Sequence, residues 1–168
     1  TVDGMPLLGD SHMRAATLRR CVCGWPPQVR GDNCTPRLHH FWRCPIAQAV
    51  VDQVLIRIGS PITRANVWLG WAPLGVQQCV WDVILLAAVS AMETGRRHMA
   101  AVGRRSADAQ LRAAAPLETQ ATDRALADFW ARLHGFAALG IPRRGWDLVG
   151  PHHPILFVQG NKLLCRGP

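Results

Sequence analysis

The densest group of reactive side chains in this chain lies between Cys21 and Pro45, in the sequence CVCGWPPQVRGDNCTPRLHHFWRCP. Four of the six cysteines and two adjacent histidines fall within these 25 residues. Thiolates and imidazoles at such spacing are typical of a tetrahedral metal site, and this donor set selects zinc over magnesium or calcium. Because protein side chains can fill all four positions, the pattern predicts a closed structural site rather than a catalytic one.

The predicted zinc ligands are Cys21, Cys23, His39 and Cys44. Gly24 permits a tight turn after the first cysteine pair. The five-residue spacing of the second ligand pair leaves Phe41 and Trp42 to pack beneath the ion. His40 is an alternative to His39 and otherwise lies behind the ligands or at the surface, and Cys34 is an alternative to Cys21. The competing interpretation is ordinary buried thiols, or disulfides if the chain is secreted.

The same residues resemble a known family. A cysteine pair followed by glycine, a variable loop, and the pattern His-x-Phe-x-x-Cys-Pro before an amphipathic helix are similar to the reverse-transcriptase zinc-binding domain of plant and algal non-LTR retroelement polyproteins. The resemblance covers residues 18–58 and departs at one point, since only Val22 separates the first pair where the family commonly has two residues. Because no polymerase signature is present, the resemblance implies the non-catalytic, nucleic-acid-binding tail module of such a protein.

The charge of the chain favours an anionic partner. The formal net charge is +8, and among the nineteen basic residues Lys162 is the only lysine. Arginine presents a planar fork of donors that suits phosphate and base edges, so we expect nucleic acid, above all RNA, as the partner. The compositional bias of a GC-rich genome is the alternative source of so many arginines.

Hydrophobic periodicity predicts a mainly α fold: a small helical domain with an N-terminal zinc knuckle and a C-terminal β-hairpin. Pro45 suits the first position of an amphipathic helix that Gly59 ends. A longer helix follows from Val76, and Thr122 is predicted to cap a third. Two apolar runs that flank Gly160-Asn161 predict the hairpin. The predicted segments are an arm (1–20), a knuckle (21–45), a helical domain (46–150) and the hairpin (151–168).

Two groups of residues are candidates for nucleic-acid contact. If the long helix continues past Met92, its arginines recur at steps of seven and eight residues, which places them in one stripe along the helix where they could contact phosphates. The alternative is that this segment is a flexible linker leading to the alanine-rich stretch before Thr122. A loop near the C-terminus combines guanidinium donors with a ring on which bases can stack. The stripe consists of Arg97, Arg104, Arg105 and Arg112, and the loop contributes Arg143, Arg144 and Trp146.

Other aromatic and metal-binding residues allow two interpretations. Trp68 and Trp71 are able to stack on exposed bases, although tryptophans more often cover a hydrophobic core. His152 and His153 are candidates for a second metal site with Cys165, but the flanking prolines and the lack of a further ligand make this the weaker interpretation.

No enzymatic motif is present, since the chain lacks a phosphate-binding glycine loop, a nucleophile elbow and grouped catalytic acids. We therefore expect a binding module, with a retroelement-derived structural subunit of a large ribonucleoprotein assembly, such as an organellar ribosome, as the alternative. The apolar run over residues 79–92 is shorter than the roughly 20 residues that cross a bilayer, so no membrane partner is expected. Cysteines that act as metal ligands and the lack of a visible secretory signal predict an intracellular, reducing compartment. The start at Thr1 predicts a fragment or a processed chain.

Overall fold

A computed structural model describes residue 23 and residues 38–105, 114–138, 155–159 and 162–167 of the chain. The elements, in chain order, are a π-helical turn (His39–Arg43), helices α1 (Pro45–Ile58), α2 (Arg64–Trp68), α3 (Gln78–Arg105) and α4 (Ala114–Ala138), and strands β1 (Leu156–Gln159) and β2 (Lys162–Cys165). The predicted fold class, mainly α with a C-terminal hairpin and a Cys/His cluster in the N-terminal region, is confirmed. The predicted division into an arm, knuckle, helical domain and hairpin stays a prediction.

Helix α1 has the limits that the sequence predicts. Pro45 occupies its first position, where the missing N–H has no helical acceptor to lose. Gly59 follows its last residue with φ 70°, a left-handed conformation that glycine adopts without a Cβ clash. The side chains of Ala47, Val50, Val51 and Val54, which recur at helical spacing, are buried. This face ties the N-terminal turn to the core.

A short connection between α1 and α3 is held by side chains. Thr63 and Asn66 form a capping box at the start of α2, and the Asn66 side chain donates to the carbonyl oxygen of Trp71 at 2.8 Å. The indole N–H of Trp81 donates to the backbone oxygen of Asn66 at 3.1 Å. The Gln78 side chain donates to the backbone oxygen of Gly70 and to Asp82, both at 2.7 Å. These bonds fix the loop against the first turns of α3.

The most extensive contact between described elements is that of α3 with α4, and α1 packs against both helices. A Cβ built on Gly95 would lie 2.7 Å from the backbone oxygen of Ala121, 2.9 Å from Ala125 Cβ and 2.9 Å from Ile46 Cγ2. Three helices therefore meet at one residue of α3 that has no side chain. Glycine lowers the helix propensity of this segment, but close packing of the three helices requires it at position 95.

Helix α4 begins earlier than predicted. The prediction that Thr122 caps it is wrong, because the helix starts at Ala114 and Thr122 lies in its interior. Pro116 is the third residue of the helix, a first-turn position that tolerates proline because its N–H would have no intrahelical partner. The alternative of a flexible linker after Met92 is wrong as far as Arg105, where α3 ends, and the alanine-rich stretch to which it would lead is helical from Ala114 onward. Helix α3 begins at Gln78, two residues after the predicted Val76.

The predicted C-terminal hairpin is confirmed. Gln159 pairs with Lys162, so Gly160 and Asn161 separate the two strands, and Leu156 pairs with Cys165. Strand β2 packs against α4, which gives this small sheet a helical surface to cover one face. None of the described helices contains a stretch that is long and apolar enough to cross a membrane.

Candidate metal centre

The π-helical turn brings His39 and Cys44 together. The backbone N–H of Cys44 donates to the carbonyl oxygen of His39 at 2.7 Å, a bond between residues five apart. In an α-helix, residues five apart point about 140° away from each other, whereas an i→i+5 bond closes a wider turn that stacks them. The turn therefore explains how candidate ligands five residues apart, His39 and Cys44, have donor atoms within 4.8 Å of each other.

Cys44 is also the junction between this turn and α1. Its backbone is extended, with φ −63° and ψ 136°, as expected for a residue before proline. Its carbonyl oxygen accepts the N–H of Gln48 at 2.9 Å, the first bond of α1. The Gln48 side chain in turn donates to the carbonyl oxygen of Trp42. One ligand is thus fixed by the first turn of a core helix.

Cys23 completes a group of three donors. Its Sγ lies 3.3 Å from Nε2 of His39, and one ligand atom from each of Cys23, His39 and Cys44 lies within 4.8 Å of the other two. A tetrahedral zinc ion at about 2.3 Å from sulfur and about 2.0 Å from nitrogen places its ligand atoms roughly 3.5–3.8 Å apart. His39 and Cys44 are buried and Cys23 is half-buried. The group is compatible with a metal ion.

The other candidate ligands differ in position. His40 is buried, and its ring packs edge-on against His39 with centroids 6.2 Å apart, but it is not part of the three-residue group. Phe41 is buried in the core and Trp42 packs partly against it, which agrees with the predicted apolar support for the site. Cys21 and the alternative Cys34 lie outside the described residues. The fourth position is therefore not assigned by the geometry.

A buried charged pair lies behind the turn. The guanidinium carbon of Arg96 is 5.5 Å from the centroid of the Phe41 ring, and the residue is 0% exposed. Among the described residues its nearest ionic partner is Glu93, at 3.8 Å, and none of its three guanidinium nitrogens has a hydrogen-bond partner. Glu93 instead forms the closer bond with Arg97, at 3.2 Å. The sequence did not single out Arg96, because its burial follows from tertiary packing.

The predicted nucleic-acid residues are only partly described. The Arg97 side chain is 65% exposed and forms an i, i+4 ion pair with Glu93 at 3.2 Å. The backbone of Arg104 and Arg105 lies in the last turn of α3, so the helix continues as the stripe requires. The remaining candidates, Arg112, Arg143, Arg144 and Trp146, lie outside the described residues.

Trp68 and Trp71 differ in their exposure to solvent. Trp68 is half-buried, whereas Trp71 is 63% exposed and does not cover the core.

Of the candidates for a second metal site, His152 and His153 lie outside the described residues and Cys165 lies within them. Burial raises the pKa of the Cys165 thiol from an ordinary value of 9.0 to about 11, so this thiol is neutral at physiological pH.

The fold and the Cys/His group together define a helical protein with a candidate metal centre at the N-terminus of its first core helix. The chain matches no model of a known protein family, and comparisons with curated proteins and with solved structures find no match either. The resemblance to the reverse-transcriptase zinc-binding domain stays an interpretation of residues 18–58.

Proposed function

We propose that this chain is a non-catalytic, zinc-binding module that binds nucleic acid, with RNA as its main partner. The observation that carries the proposal is the group formed by Cys23, His39 and Cys44, whose ligand atoms lie within 4.8 Å of one another. Two soft sulfur donors with one imidazole favour zinc among the common divalent ions. Cys21 is proposed as the fourth ligand.

The metal has a structural role in this proposal. One ligand, Cys44, opens the first turn of α1, and Cys23 comes from a segment sixteen residues before His39. An ion shared by these residues would hold the N-terminal segment against the core, and its binding free energy would contribute to folding. Ligation by thiolates also supports the proposal that the protein works in a reducing compartment.

Nucleic-acid binding is supported by charge. The chain has a formal net charge of +8, and all of its nineteen basic residues except Lys162 are arginines. Such a charge raises the local concentration of polyanions, and each phosphate contact by arginine releases a bound counterion. The exposed Arg97 and the backbone position of Arg104 and Arg105 at the end of α3 are consistent with a basic stripe.

Elemental analysis of the purified, reduced protein tests the metal. We expect one zinc ion per chain, lost in Cys23→Ser and in Cys44→Ser. Cys79→Ser is the matched control, since Cys79 lies on α3 outside the three-residue group and its variant should keep the ion. Folded wild-type protein without zinc under these conditions would contradict the proposed metal.

Anisotropy of a labelled single-stranded RNA tests the partner. The affinity should fall steeply between about 50 mM and 200 mM salt, because the counterion term depends on the number of phosphate contacts. Binding that is absent at low salt, or that does not change with salt, would remove nucleic acid from the proposal while leaving the zinc result intact.

A second candidate is a structural subunit of a ribonucleoprotein assembly. The loop around α2 exposes three large apolar side chains, Leu69 at 54%, Trp71 at 63% and Leu74 at 91%. Apolar side chains exposed close together in sequence are typical of a surface that a partner covers. The test is whether the protein cofractionates with a large assembly. Loss of cofractionation in Trp71→Ser and Leu74→Ser, with retention in variants that only bind RNA more weakly, would favour this candidate.

A further inference from the structure

The two cysteines of the candidate metal centre bring their sulfur atoms close together. Cys23 and Cys44 each offer a Sγ atom to the donor group, and these two sulfurs lie within 4.8 Å of each other. Neither forms a disulfide bond with another described residue. The sulfurs of a disulfide are about 2.05 Å apart, so the gap to be closed is at most about 2.8 Å. A change between staggered side-chain torsions moves a Sγ atom by roughly 3 Å, which covers this gap.

The two thiols differ in their access to solvent. Cys23 is half-buried, whereas Cys44 is 0% exposed. A small oxidant in solution therefore reaches the sulfur of Cys23 first, because no surface of Cys44 is in contact with water. Cys44 is in turn placed to attack the oxidised sulfur beside it. This order makes Cys23 the thiol that reacts with the oxidant and Cys44 the thiol that closes the bond.

The reaction with hydrogen peroxide balances with these two side chains alone. The Cys23 thiolate attacks one peroxide oxygen, so an S–O bond forms, the O–O bond breaks and the released hydroxide takes up a proton as water. The Cys44 thiolate then attacks this sulfur, so an S–S bond forms, the S–O bond breaks and a second hydroxide takes up a proton as water. The two thiolates give up two electrons in total, and the peroxide accepts both.

The other described cysteines are not part of this pair. Cys79 on α3 and Cys165 on β2 lie outside the donor group. Burial raises the pKa of the Cys165 thiol to about 11, so this side chain stays protonated near neutral pH and is a weak nucleophile. Among the described cysteines, oxidation by a small amount of peroxide should therefore be concentrated at the candidate metal centre.

A disulfide between Cys23 and Cys44 would join the same two parts of the chain that the metal joins. Cys23 comes from the segment before the π-helical turn, and Cys44 directly precedes Pro45, the first residue of α1. The sulfurs of a disulfide are uncharged and poor zinc ligands, so of the three described donors only His39 stays able to hold the ion. The covalent bond would keep the N-terminal segment tied to α1 after the ion has left.

We propose that Cys23 and Cys44 form a redox switch, in which oxidation by a hydroperoxide joins them in a disulfide and releases the zinc ion. The switch rests on the proposed function for its zinc ion and goes beyond it, because it makes that metal removable. The reduced and oxidised forms differ in what holds the N-terminal segment, which is the metal in the first and a covalent bond in the second. A thiol reductant reverses the disulfide by thiol–disulfide exchange and restores the donor group.

The test adds a small excess of hydrogen peroxide to the reduced, zinc-loaded full chain. Zinc release is followed with a chromogenic chelator, and the disulfide is mapped by mass spectrometry of peptides that are digested without reductant. We expect release of one zinc ion for each Cys23–Cys44 disulfide formed, and rebinding of zinc after reduction and dialysis. Cys79→Ser and Cys165→Ser are the matched controls, and both should release zinc at the wild-type rate, since neither residue belongs to the donor group.

A second measurement separates the switch from oxidative damage. The unfolding temperature of the oxidised protein should not change when excess chelator is added, whereas that of the reduced protein should fall, because only the oxidised form has a covalent link. A disulfide from Cys23 to a different cysteine, or a sulfinic acid at Cys23 without a disulfide, would overturn the switch and leave the zinc of the proposed function intact. Folded, reduced wild type that holds no zinc would overturn both.

Discussion

The backbone bond from Cys44 N–H to the carbonyl oxygen of His39, at 2.7 Å, spans five residues and sets the two side chains on one side of the turn. His40, the next residue, belongs to the same turn and is equally buried, but its ring is not within the donor group. The turn therefore distinguishes two histidines that the sequence alone leaves as alternatives.

This geometry predicts different results for the two histidines. His39→Ala should remove the zinc ion, because it deletes the donor that lies 3.3 Å from Cys23 Sγ. His40→Ala should keep one zinc per chain, with a loss of stability from the lost packing. Zinc content by elemental analysis and thermal unfolding with and without a chelator are the measurements. Loss of zinc in His40→Ala with retention in His39→Ala would reverse the assignment.

The buried pair behind the turn predicts unequal effects for its two members. Glu93→Ala should destabilise the fold by about 3–5 kcal/mol, because it leaves the buried Arg96 guanidinium without its ionic partner. Arg96→Met should cost less, since it removes the charge that is expensive to bury and keeps much of the apolar volume against Phe41. Urea unfolding at fixed zinc concentration measures both. The prediction fails if Arg96→Met is the more destabilising of the two.

Gly95 and Gly135 provide a matched pair of glycine substitutions. Both lie within helices, so alanine gains roughly 1 kcal/mol of helix propensity at either site. At Gly95 the new Cβ would overlap the backbone oxygen of Ala121, and overpacking costs about 1–3 kcal/mol, so we expect net destabilisation. At Gly135 nothing lies within 4 Å, so alanine should stabilise the protein. Equal unfolding free energies for the two variants would contradict the close approach.

Ionisation of the Cys165 thiol should make the stability of the folded protein depend on pH under alkaline conditions. Burial raises its pKa to about 11 in the folded protein, so the folded state keeps a proton that the unfolded state begins to lose near pH 9. The contribution of the neutral thiol to stability is full below pH 9 and is lost as the pH rises toward 11. Denaturant unfolding from pH 8 to 11 should show a shallower decline for Cys165→Ser, whose hydroxyl does not ionise. Parallel curves for the two proteins would disprove this.

Local signals predicted much of the fold. Pro45 and Gly59 mark both ends of α1, because these residues act through their own backbone geometry. The two apolar runs on either side of Gly160-Asn161 predicted the hairpin, whose strands are paired as Leu156–Gln159 and Lys162–Cys165. The start of α4 at Ala114 was missed because Thr122 has the side chain of a helix cap, whereas Pro116, a residue that interrupts helix interiors, is tolerated in a first turn.

The candidate metal donors were also predictable, since their residue types and spacing are unusual on their own. The tertiary contacts elsewhere in the fold could not be predicted in this way. The burial of Arg96 and the hydrogen bond from Arg57 to the carbonyl oxygen of Arg166 depend on how helices and hairpin pack, which residue spacing does not encode. The exposure of Trp71 is of the same kind, because a large aromatic side chain predicts burial in most proteins.

The crossing at Gly95 couples parts of the molecule that are distant in sequence. Helix α1, which begins directly after the candidate ligand Cys44, and helix α4 both approach α3 closely at this residue. The amide protons of α3 around Gly95 exchange with deuterium when their helical hydrogen bonds open, and packing of α1 and α4 against this point opposes that opening. Loss of the metal would then accelerate exchange not only in the N-terminal turn but also in the middle of α3, as one cooperative unit.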